Sequence, residues 1–144
     1  MNTNKPQINM TAIDHTPEPN DNALQGTAAP VTSSHVDVKS LRIRELNDTF
    51  RRNFVGGRVM LTQGIMALGK IVQAEIISKV SMFNAFNDGN DPYREHDFGC
   101  IKHGGETAFF KIDYYDLSLI NGSPDPANAA VTMRVLTIML ANEW

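Results

Sequence analysis

The residues whose types and spacing could do chemistry are concentrated between Asn90 and Pro126, in three polar strings set among apolar segments. They read Asn90-Asp91-Pro92-Tyr93 leading into Glu95-His96-Asp97-Phe98-Gly99, then Lys111-Ile112-Asp113-Tyr114-Tyr115-Asp116, then Gly122-Ser123-Pro124-Asp125-Pro126. Two strand-like runs, Glu95 to His103 and Glu106 to Tyr114, are separated by Gly104-Gly105 alone. A two-residue Gly-Gly connection tolerates the positive φ values of a tight primed turn, so the runs form a β-hairpin with a fixed register. With His103 facing Glu106, pairing backwards sets Cys100 against Phe109, Phe98 against Lys111 and His96 against Asp113 on one face. The other face pairs Ile101 with Ala108, Gly99 with Phe110 and Asp97 with Ile112, and reads as core, the Phe110 ring covering the bare Gly99 backbone.

His96, Asp113 and Lys111 are therefore the candidate catalytic residues. A carboxylate beside an imidazole holds its tautomer and stabilises the imidazolium, which makes a general base. His96 and Asp113 with Asp116, or with Asp91 or Glu95, also offer nitrogen and oxygen ligands of the kind a divalent metal takes, and such a metal is the cofactor the pattern suggests. The plainer alternative is an ordinary cross-strand contact, worth about 0.2–1 kcal/mol. Asp91, Tyr93, Glu95, Tyr115 and Asp116 form the candidate binding surface, since loops and strand ends hold such groups out toward a ligand. Asp91 and Asp125 have plain readings too, as a turn residue and a helix cap. Ser123, beside Pro124, reads as part of a rigid turn and not as a nucleophile, and Cys100 is expected inside the hairpin, buried and inert. None of the three strings matches a motif of known mechanism.

The elements that must position these groups follow from periodicity. Ile43, Leu46, Phe50 and Phe54 recur at helical steps and predict a helix over residues 38–54, with Arg44, Asp48 and Arg52 on a solvated outer side. Gly56-Gly57 ends it, and residues 58–62 follow as a short strand. Val72, Ile76, Val80 and Phe83 predict a second helix over residues 70–85, ended by the turn formers Asn87 to Pro92. Asp125 as N-cap and Pro126 at the first helical position predict a third helix running to the end of the sequence. Its apolar residues lie nearly all round, so it is either deeply buried or shared in a homodimer. The expected fold is α+β, a small three-stranded, mainly antiparallel sheet with three helices in the order α-β-α-β-β-α. Residues 1–35 lack either period and read as a disordered tail, leaving residues 36–144 as a single α+β domain.

Composition excludes several classes. With 13 basic against 16 acidic residues and a formal charge of −3, the chain is poorly suited to neutralising phosphates, so nucleic acid is not favoured as a partner. One cysteine among 144 residues forms no internal disulfide and points to a reducing, cytoplasmic location. No run reaches the roughly 20 apolar residues of a spanning helix, so no membrane is expected. Residues 85–125 hold eight acidic residues against three basic ones, which suits steering of a basic protein surface.

Five strings in the same order, Gly56-Gly57-Arg58-Val59-Met60-Leu61-Thr62, Asn90 to Gly99, Lys111 to Asp116, Gly122 to Pro126 and Arg134 to Ala141, resemble a bacterial family catalogued as domain of unknown function 3768. The resemblance spans residues 41–144. It implies a short cytosolic protein of alphaproteobacterial type, often carried on plasmids or other mobile elements, with no established activity, cofactor or catalytic residue. The family pattern has Gly where this chain has Arg94. The expected function is a non-enzymatic protein-binding module, self-associating through the last helix. The rival is a metal-dependent hydrolase or nuclease built on the His96–Asp113 cluster.

Overall fold

The computed structural model describes residues 37–144. The tail expected over residues 1–35 lies outside the described residues. Among the described residues the architecture is α+β, with three helices and a four-stranded mixed sheet. The elements in chain order are α1 (Val38–Asn53), β1 (Gly57–Leu61), α2 (Gln63–Met66), α3 (Lys70–Met82), β2 (Phe98–His103), β3 (Glu106–Tyr115) and β4 (Met133–Leu140), followed by a 3₁₀ turn over Ala141–Glu143.

The sheet order is β1-β4-β3-β2. The hairpin β2–β3 forms in the expected register, with His103 opposite Glu106, Cys100 opposite Phe109 and Phe98 opposite Lys111. Gly104 and Gly105 take φ values of +57° and +88° at its turn, where only glycine is free of strain. Strand β4 lies antiparallel to β3 and parallel to β1.

Strand β4 corrects the expected C-terminal helix, and with it the three-stranded sheet and the order of elements. Residues 133–140 are apolar at nearly every position, so periodicity alone does not separate a buried helix from a central strand. Their β-branched content, Val135, Thr137 and Ile138, favours the strand. The homodimer expected through that helix loses the element it required. Asp125 and Pro126 sit in a turn instead, with the Asn128 N–H donating to the Asp125 carbonyl at 2.9 Å. The helix end also differs from expectation: Phe54, at φ +60°, is the left-handed cap, and its N–H donates to Phe50 O at 2.7 Å.

One face of the sheet is packed. Ala108, Phe110 and Ile112 alternate along β3 and meet Leu136 and Ile138 of β4, Phe50 of α1, Ile65 of α2, and Ile76 and Val80 of α3 in one core. Each aliphatic or aromatic side chain fully buried this way contributes about 1.5–3 kcal/mol before entropy is counted. The opposite face carries no helix among the described residues. There the alternate positions Phe109, Lys111, Asp113 and Tyr115 remain half-buried, Met60 is 52% exposed, and Cys100 is exposed rather than buried. No helix among the described residues is long and apolar enough to cross a membrane.

Gly99 is where the core tolerates least change. A Cβ there would collide with the Phe110 ring and stand 2.8 Å from the Phe83 ring, and Phe110 is fully buried. The Gly99→Ala variant is expected to lose about 1–3 kcal/mol. Its thermal midpoint should fall by several degrees or more, at about 4–8 °C per kcal/mol for a domain of this size, with partial recovery when Phe110→Leu is added.

Candidate functional site

The loop from Phe83 to Asp97 carries the first polar string and is built around Asp91. This buried carboxylate accepts the N–H groups of Glu95 at 2.8 Å and His96 at 2.9 Å through one oxygen. Arg94 and His96 are both left-handed, with φ values of +60° and +58°. Arg94 is thus a non-glycine residue at a position whose backbone suits glycine.

The turn at His96 decides where its ring goes. Instead of continuing the β2 ladder, which begins at Phe98, His96 is directed to the helical side of the sheet. Its Nδ1 lies 3.0 and 3.1 Å from the two carboxylate oxygens of Asp48 on α1, its Nε2 lies 3.7 Å from Asp91, and its ring stacks on Phe86 at 3.8 Å. Asp48 also accepts from Arg51 at 2.7 Å. Burial works to raise the Asp48 carboxyl, but the hydrogen bonds from Arg51 and His96 outweigh it and hold the group below its ordinary range.

Asp113 stays on the open face, opposite Val135 in the sheet and 3.1 Å from Lys111. The expected pairing of His96 with Asp113 is therefore corrected: Lys111 and Asp113 are together, and His96 is apart from both. Asp116 turns inward on its own loop, accepting from Ser118, Ile120 and Asn121 at 2.7–3.2 Å. Those bonds, Ser118 first, pull its carboxyl down to about 2. Among the described residues no group of three or more His, Cys, Asp or Glu side chains could hold a metal ion. His96, Asp113 and Asp116 do not form the expected ligand set.

Of the candidate binding surface, Asp91 and Glu95 serve the interior. The Tyr114 hydroxyl donates to Glu95 at 2.9 Å and accepts from Asn47 at 2.7 Å, while Arg134 donates to Asn47 at 2.8 Å and to Pro126 O at 2.7 Å. Burial, more than any neighbouring charge, pushes the Tyr114 hydroxyl upward and the Arg134 guanidinium downward. Tyr115 ends β3 on the open face, and Tyr93, 73% exposed, stands free at the loop tip.

What the structure adds is a groove on the open face, about 440 Å³, between Tyr93 and Trp144. Asp97, Phe98, Lys111 and Asp113 line it. Trp144 is 68% exposed yet fixed: its ring centroid lies 5.2 Å from Phe98 and 5.7 Å from Phe109. The preceding residue anchors it, since Glu143 accepts from the Thr62 hydroxyl at 2.6 Å, the Gly64 N–H at 2.8 Å and the Leu140 N–H at 2.9 Å. These bonds hold the Glu143 carboxyl below its usual range. A second hollow of about 430 Å³ lies across Lys111 and Trp144, against Thr137 and Met139. Neither Asp97 nor Trp144 stood out in the sequence, because Asp97 was assigned to the core face and Trp144 to a helix.

The model of a protein family described as "Protein of unknown function (DUF3768)" matches residues 61–143. The match begins inside β1 and so leaves out α1, unlike the resemblance, which reaches back to residue 41. No curated protein and no solved structure matches the chain.

Asp97 yields a pH dependence. Burial first, then the charges of Glu95, Asp91 and Asp113, raise its carboxyl from 3.8 to about 6. The folded chain then holds a proton that the unfolded chain releases near 3.8, so this group lowers stability as pH rises from about 4 to about 6. Asp97→Asn removes the penalty. The variant is expected to melt higher than the parent at pH 7.5, with a smaller gain at pH 4.5, and calorimetry at the two pH values checks this.

Proposed function

We propose, for a chain that belongs to the DUF3768 family of proteins of unknown function, that it is a non-enzymatic protein-binding module whose docking surface is the open face of the sheet. The observation that carries this reading is the set of aromatic and sulfur-bearing side chains left on that face: Phe98, Phe109 and Trp144 in mutual contact, with Met60 52% exposed. A sheet face that meets only water alternates polar residues outward. Interface cores are instead enriched in Trp, Tyr, Phe and Met and depleted in isolated charge. Here the two charged residues in the middle of the face, Lys111 and Asp113, neutralise one another at 3.1 Å.

The hydrolase or nuclease reading needed His96 beside Asp113 and loses its site with that pair. His96 is engaged with Asp48 and stacked on Phe86, which is the arrangement of a group that fastens a loop to a helix. A cytoplasmic accessory role of plasmid or mobile-element type, as the resemblance implies, fits a module that works by binding. It forms part of the proposal.

Cys100 provides the test, because it is the single cysteine, is exposed and pairs with Phe109 on the docking face. A photo-crosslinker attached there should give one discrete adduct in an extract of the protein's own cells. Unlabelled wild-type chain should compete it away, whereas unlabelled Trp144→Glu should not. No adduct, or equal competition by Trp144→Glu, would overturn the reading.

A further inference from the structure

We infer that the groove between Tyr93 and Trp144 receives a basic side chain, an arginine or a lysine, of the protein partner. The inference rests on the docking face of the proposed function and adds the chemistry of the occupant.

Three observations converge on a cation. The first is charge. The groove is lined by two carboxylates, Asp97 and Asp113, and one ammonium, Lys111. Lys111 pairs with Asp113 at 3.1 Å, and Asp97 has no ion pair among the described residues. Two acidic residues outside the groove already have cations, Asp125 with Lys39 at 3.2 Å and Asp88 with Arg94 at 3.4 Å. An uncompensated carboxylate therefore stands at the groove, where a partner's cation would complete it.

The second observation is the aromatic wall. Tyr93 and Trp144 stand 73% and 68% exposed on the groove, with Phe98 also lining it. An indole face attracts an ammonium or guanidinium, and the attraction grows as the pair leaves water. The third is that the chain already places one of its own cations here. Lys111 Nζ lies 5.9 Å from the Trp144 ring centroid while bound to Asp113. One side of the groove is thus a formed cation site, and Asp97 lines the same groove with no cation paired to it among the described residues. A phosphate backbone would meet Asp97 and Asp113 as like charges, which disfavours a nucleic acid in the same position.

Trp144 is the single tryptophan, so its emission reports occupancy of the groove. The probes are capped five-residue peptides, Val-Thr-X-Val-Thr, with arginine, lysine, citrulline or glutamate at X, together with a short single-stranded oligothymidylate. The arginine and lysine peptides are expected to shift the emission saturably, and the citrulline peptide, of the same shape without the charge, to bind roughly tenfold more weakly or worse. Asp97→Asn should weaken the arginine peptide by a similar factor while leaving the citrulline peptide unchanged. The melting curve of that variant reports directly whether its fold is intact. Equal binding of arginine and citrulline peptides, preference for the glutamate peptide or the oligonucleotide, or no shift with any basic peptide would overturn the inference. If the basic peptides fail while the Cys100 adduct still forms and is competed by wild-type chain alone, the docking face stands and its cationic occupant does not. Failure of both removes the docking face as well.

Discussion

The structure depends on a guanidinium placed where solvent does not reach. Arg51, on α1, is fully buried, and its side chain donates to the carbonyls of Val80 at 2.9 Å and Ser81 at 3.1 Å, at the C-terminal end of α3. A cation at that end meets the terminal carbonyls, of which Val80 O also accepts the Phe83 N–H at 3.3 Å, and the negative pole of the helix. Asp48, one turn back along α1, supplies the counter-charge at 2.7 Å, and the Phe86 and Phe110 rings lie 5.3 and 5.8 Å from the guanidinium carbon. A buried charge costs several kcal/mol unless its hydrogen bonds are met. Here only Nε among its donors lacks a partner. Removing the guanidinium would take the counter-charge from the helix end and the shortest bond from Asp48, leaving that carboxylate to His96 and Arg52, so the members of the arrangement depend on one another.

The unit extends to the surface. Asp48 holds His96, His96 stacks on Phe86, and both belong to the loop that ends at the groove. Four residues before Arg51 on the same side of α1, Asn47 is also fully buried and joins Tyr114, Glu95 and Arg134. Two polar residues one turn apart on a single helix thus fix the base of the loop, the end of β3 and the start of β4. Polar contacts of this kind are directional, and they set one position for the loop where apolar packing alone would permit several. Tyr93 is presented at the groove because the residues behind it are tied inward.

How far the sequence was legible follows the strength of each local signal. The register of the hairpin was readable from His103 back to Phe98 because Gly104-Gly105 permits one tight connection, and the cover of Gly99 by Phe110 followed from the register, but the strand begins three residues later than expected. Helices α1 and α3 were readable from their spacing, within a few residues at their ends. Strand β4 was not, since an apolar run without gaps has no period to read. Asp48 was misplaced on the solvated side because a helical wheel assumes that charge faces water, whereas its partner Arg51 faces inward. His96 was misplaced for a more local reason. Continuing a ladder two residues beyond its end assumes extended backbone, and a single left-handed residue at φ +58° carries the ring to the other side of the sheet.

That last difference also separates the two roles of the acidic half of the chain. Asp48, Asp91, Glu95 and Asp116 accept hydrogen bonds that hold helix, loop or turn together. A carboxylate whose lone pairs are already engaged by fixed N–H and O–H groups is a poor general base, because taking a proton would break the bonds that place it. Asp97 is the exception: desolvated, surrounded by Glu95, Asp91 and Asp113, and left without a cation. An arrangement that raises a carboxyl toward neutral pH at the rim of an aromatic groove is costly to the isolated fold. A positive charge beside Asp97 would oppose the contributions of Glu95, Asp91 and Asp113 but not that of burial, so the larger part of the cost is set by the fold itself.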